Sequence, residues 1–224
     1  MRTFTDKTFE YFMALKFNNN RAFFQENHDW YVDSVRGPFL DLVSALSPWI
    51  ADLDEELETI PNRCVSRINR DIRFSHDKSP YRDYLWLTFF PRREDRDYLP
   101  GFWFDLSCQG SSWGMGMYLH NKPLMNGLRR QLREHPQGFI RALKATEGLA
   151  ASGDFYKRMA VPEGLRRDVI PWYPVKTFGF QMRETRWDAL TDPELYRRIQ
   201  ADFEKCAPMY RYIRSLTPEE DEVT

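Results

Sequence analysis

The chain of 224 residues has little cysteine, little histidine and no excess of either charge. Its three cysteines, Cys64, Cys108 and Cys206, are odd in number, far apart and without a Cys-x-x-Cys pair. That excludes a disulfide framework and a zinc knuckle, and it points to a reducing compartment. No two of the four histidines, His28, His76, His120 and His135, stand three or four residues apart, so no metal is expected and His76-Asp77 is the only candidate pair. The 32 basic residues are matched by 33 acidic ones, whereas a nucleic-acid binder normally carries a basic excess, so nucleic acid is not expected as a partner. The most apolar run, residues 85–90, is far shorter than a membrane span, and Met1-Arg2-Thr3-Phe4-Thr5-Asp6 lacks the apolar stretch of a secretory signal. The expectation is a soluble cytoplasmic protein with no membrane partner. Internal repeats and a Walker lysine are also missing, and the string Gly110-Ser111-Ser112-Trp113-Gly114 leads into a period-two run instead of the helix that a nucleophile elbow needs, which leaves no cofactor to assign.

What is present is a globular composition, 42% apolar, 16% aromatic and 29% charged. The length allows one core of generous size, so residues 1–224 are expected to form a single domain ending in an acidic tail from about residue 217. Phe9, Phe12, Met13 and Leu15 recur at helical spacing behind Thr5 and Asp6. Asn18-Asn19-Asn20 breaks that helix; Asn20 caps a second, and Pro38 opens a third carrying Phe39, Leu42, Val43, Leu46 and Ile50. The period then changes to two in residues 67–74, 85–90, 102–107 and 113–118, with links too short for crossovers. Helices are expected over 124–134 and 136–147, an edge strand over 175–182, and a closing helix over 192–216 behind the capping box Thr191-x-x-Glu194. Together these predict an α+β fold with a central, mainly antiparallel β-sheet, a meander, packed with N-terminal and C-terminal α-helices.

The densest chemistry lies in residues 66–82, which hold four Arg and one Lys among two Asp. Alternation puts Arg67, Asn69, Asp71 and Arg73 on one face and Ile68, Arg70, Ile72 and Phe74 on the other. Arg67 and Arg73 with Lys78 would then converge on a small anionic or phosphorylated ligand, because guanidinium forks match phosphate and carboxylate bidentately. Asp71 would orient them or act as general base. The equal competitor is structural: Asp71 and Asp77 pair with neighbouring arginines, and Arg70 holds a buried carboxylate such as Asp105. Gly114 and Gly116 would open a hollow bordered by Trp103, Asp105, Ser107 and Tyr118. The ligand-binding candidates are therefore Arg67, Arg70, Asp71, Arg73, Lys78, Tyr81, Asp105 and Tyr118. A weaker reading is a single-strand nucleic-acid binder stacking bases on Trp86, Trp103 and Tyr118.

Residues 67–81, the string Pro100-Gly101-Phe102-Trp103-Phe104-Asp105-Leu106-Ser107, and Gly114-Met115-Gly116-Met117-Tyr118 resemble the bacterial and fungal family catalogued as domain of unknown function 2461. The opening helix, the Asn-rich break before an aromatic helix (residues 18–30) and Ala207-Pro208-Met209-Tyr210 are similar to it too. The resemblance implies one full-length domain and adds weight to the central motif; it carries no catalytic residue. Two functions stay open: a binding protein for a small anion, with or without catalysis, and a structural or protein-interaction module.

Overall fold

The computed structural model describes residues 1–73 and 76–220. Capping and apolar spacing build the helical opening. α1 (Asp6–Phe17) starts from Thr5 in a reciprocal capping box with Thr8, and Asn20 caps α2 (Arg21–Glu26) by accepting the Phe23 N–H at 3.0 Å. Then α3 (His28–Tyr31), a π-helical turn (Val32–Arg36) and α4 (Gly37–Leu53) follow without a gap. Pro38 accounts for one feature of that junction. It has no N–H for the Ser34 carbonyl one turn back, and that carbonyl accepts the hydroxyl of fully buried Thr8 at 2.6 Å instead.

A short helix α5 (Pro61–Cys64) precedes the strands β1 (Tyr84–Phe89), β2 (Pro100–Ser107) and β3 (Gly110–Met117). Next come α6 (Lys122–Glu134), α7 (Gln137–Ala145), β4 (Ala150–Phe155), β5 (Val175–Glu184), α8 (Trp187–Leu190) and α9 (Leu195–Arg214). The strands form one five-stranded antiparallel sheet in the order β1-β2-β3-β5-β4, so the fold is α+β.

Several expectations need correction. β5 is not an edge strand: it lies between β3 and β4, and β4, which pairs with it from Ala150↔Gln181 to Phe155↔Val175, was not anticipated. Thr191 forms no capping box; it ends α8 by donating to the Trp187 carbonyl at 3.0 Å, and Asp192 accepts the Glu194 N–H at 2.8 Å in its place. Residues 67–73 form no continuous strand. Within residues 81–87 they bridge only Tyr81, from Asn69, and the neighbouring bridge Val65↔Leu87, also antiparallel, lies just before them. Phe74, which closed the expected strand, Ser75 and the last four residues of the acidic tail lie outside the described residues.

The chain divides into two compact units, the first comprising Met1–Phe89, Trp103–Trp113 and Arg183–Gln200. Its core is aromatic: Phe39 packs edge-on to Phe4 at 5.1 Å and to Phe104 at 5.6 Å, and all three rings are buried. The second unit comprises Phe90–Phe102, Gly114–Met182 and Ala201–Thr224. There Phe102 meets Phe203 at 4.9 Å and Tyr210 at 5.3 Å, while Phe139 packs against Trp172 at 5.6 Å. Gly114 opens no hollow. A Cβ built on it would stand 2.0 Å from the Phe180 carbonyl oxygen, so its hydrogen allows β5 to pass close by.

Candidate functional site

Alternation in the first unit sorts the sheet residues into two faces. Leu85, Leu87, Phe104 and Leu106 are fully buried, whereas Trp86, Thr88, Trp103, Asp105 and Ser107 are partly exposed. Tyr84 and Trp86 stack at 5.6 Å, and the Arg82 guanidinium lies 4.9 Å from the Trp86 ring centre. Asp105 accepts both the hydroxyl and the N–H of Ser112, the latter at 3.2 Å. Burial pushes its carboxyl above the usual range, partly offset by those bonds and by the Arg183 charge.

The arginine-rich segment borders β1. Exposure alternates as the sequence predicts: Ile68 is buried, while Arg67, Asn69, Asp71 and Arg73 are exposed. Two of the cations are nonetheless taken up by neighbouring carboxylates. Arg73 folds back on Asp71 with bonds of 2.9 and 2.6 Å, and this fork holds the Asp71 carboxyl down to about 2. A carboxyl held so low is a poor general base near neutral pH. Arg70 does not reach Asp105; it pairs with Asp77, whose other oxygen accepts the Ser79 N–H at 2.9 Å. Ser79 first and Arg70 second bring Asp77 to about 2. Lys78 donates to the Ile72 carbonyl at 3.0 Å, and the Arg67 side chain makes no hydrogen bond or ion pair among the described residues. Tyr81 is a packing residue: its ring is buried and stacked on Phe24 at 4.3 Å. Tyr118 belongs to the second unit, just past β3, and is 74% exposed.

Two residues that matter here were not singled out from the sequence. The Asn19 amide grips the Tyr81 backbone at both ends, accepting its N–H at 3.0 Å and donating to its carbonyl at 2.9 Å, as a neighbouring strand would. Arg82 donates to the carbonyls of Arg67, at 2.9 Å, and Asn69. Its signal was available, since Arg82, Tyr84 and Trp86 share one face at period two. Asn19 carried no such signal, because a run of three asparagines after a helix reads as a stop.

Among the described residues, no group of three or more His, Cys, Asp or Glu side chains is placed to hold a metal ion, and no helix is long and apolar enough to cross a membrane. No curated protein matches the chain. The profile of one family, described as conserved hypothetical protein (DUF2461), matches residues 7–212, and the chain belongs to that family.

Proposed function

We propose that the protein binds a small anionic ligand, a phosphate or carboxylate compound, beside β1, with Arg67, Lys78 and Arg82 as its cationic contacts and the Trp86 ring beneath its less polar part. One observation carries the reading. Of the six basic side chains at positions 63–82, Arg63, Arg70 and Arg73 are paired with Glu58, Asp77 and Asp71, while Arg67, Lys78 and Arg82 form no ion pair with a carboxylate among the described residues. Three positive charges on one short segment, bonded only to carbonyl oxygens or facing water, favour an anion over a neutral solute. On this reading Arg70, Asp71 and Arg73 brace the segment, and Asp105, with its raised carboxyl, is a better acid–base candidate than Asp71.

The test is a thermal-shift panel of inorganic phosphate, sugar phosphates and dicarboxylates. A ligand at about 100 times its Kd stabilises by about 2.7 kcal/mol, which raises Tm by roughly 5–10 °C in a chain of this size. The double variant Arg67→Met, Lys78→Met removes the shift. A panel without any shift, or a shift that survives in the variant, overturns the proposal.

A second reading, a structural or protein-interaction module, is favoured by the ion pairs Arg70–Asp77 and Asp71–Arg73 together with the Asn19 grip. It expects Arg70→Met to lower stability while no anion binds.

A further inference from the structure

The second unit gathers basic side chains around one tyrosine. Tyr156 follows β4, tied by its N–H to the Pro174 carbonyl at 2.7 Å. The Lys176 ammonium stands 4.6 Å from the ring centre, the Arg129 guanidinium carbon 5.5 Å, and the His120 ring meets it edge-on at 5.8 Å. Arg129 is buried and bonded to the carbonyls of Tyr173 and Val175 and to the side-chain oxygen of Asn126. His120 is different: its Nε2 is buried and has no hydrogen-bond partner among the described residues. A buried polar atom left unmatched costs about 1–3 kcal/mol, so such atoms mark places that usually hold a water or an ion.

The charges decide between those two. The groups facing His120 are Arg129 and Lys122 from α6, Lys176 from β5, and the Tyr156 ring. Burial first, and then these three cations, keep the imidazole less basic than usual. A water would satisfy Nε2 but leave the repulsion among the cations; an anion would satisfy both. We infer that His120 Nε2–H and the Lys176 ammonium, both beside the Tyr156 ring, form a binding site for a phosphate-sized oxyanion. The site lies within the second unit and does not depend on the reading of the arginine-rich segment. Because the anion is attracted by the imidazolium charge as well as by the Nε2–H donor, binding favours protonated His120, and affinity rises as the pH falls through its titration.

The experiment follows the His120 ring Cε1–H by NMR during pH titrations of the full chain, with inorganic phosphate and with sodium chloride of equal ionic strength. Phosphate is expected to shift the resonance saturably and to raise the titration midpoint by about half a unit, the equivalent of roughly threefold tighter binding to the protonated form. Lys176→Met is expected to weaken phosphate binding at least about fivefold, the loss of one charge-assisted contact, while circular dichroism and Tm stay near those of the wild type. A midpoint that phosphate leaves unmoved, that sodium chloride moves equally, or that responds undiminished in Lys176→Met overturns the site.

Discussion

Replacing Asn19 by alanine tests how the arginine-rich segment is held. The side chain makes two hydrogen bonds to one residue 62 positions away, at 3.0 Å from the Tyr81 N–H and 2.9 Å to its carbonyl. Both are partly buried, and each is worth about 0.5–1.5 kcal/mol net. Alanine removes both partners and leaves the Tyr81 N–H and carbonyl with nothing to replace them, so the loss should be about 2 kcal/mol. Chemical denaturation should show it as a lowered midpoint at unchanged m-value, and thermal melting as a fall of roughly 4–8 °C. Asn19→Asp keeps the acceptor but sets a carboxylate oxygen against the carbonyl, and should lose at least as much. Amide exchange at Tyr81 should quicken in both variants, because the grip acts locally as well as globally. A change below about 0.5 kcal/mol, within the range of an ordinary surface substitution, refutes the idea that this amide stands in for a strand.

Other substitutions and titrations follow from the same contacts. Thr8→Val keeps the shape but strips the Ser34 carbonyl of its donor, and should cost about 1–3 kcal/mol in denaturation. Cys64 and Cys206 are buried, with thiols pushed up to about 12 first by burial, so an aromatic disulfide reagent should label only Cys108 quickly in the native protein. Asp71 and Asp77, lowered to about 2, should stay ionised at pH 3 in a carboxyl NMR titration. Because their folded pKa values lie below the unfolded one, the stability they contribute is present above about pH 4 and is lost as the pH falls through about 2. Arg73→Met should return Asp71 toward the ordinary carboxylate range, with Asp77 unaffected.

Much of the fold was legible because period and caps agree. Thr5, Asn20 and Pro38 mark helix starts that the structure keeps, and the alternation through Leu85, Leu87 and Phe89 or Phe102, Phe104 and Leu106 gives the buried face of β1 and β2. β4 was not legible: Ala150-Ala151-Ser152-Gly153-Asp154-Phe155 has almost no buried side chain, so no apolar alternation announces it, and pairing with β5 makes it a strand. The segment at Arg67 had the period but not the ladder. Its carbonyls at Arg67 and Asn69 accept from the Arg82 side chain, and the register slips by two residues between its two bridges. In the candidate site, residue types were readable and partners were not. Arg73 found Asp71 two residues away and Arg70 found Asp77 seven away, short-range pairings that compete with any convergence on a ligand and that charge order alone does not reveal.

The most direct measurement of the anion-binding account is arginine side-chain NMR, following the Nε–Hε signals of Arg67, Arg82 and Arg73 as the best ligand of the panel is added. The account predicts saturable shifts with one common Kd at Arg67 and Arg82 and little change at Arg73, which is already bound to Asp71. Equal shifts at all three, or none at Arg67 and Arg82 when the ligand is in excess, would contradict it.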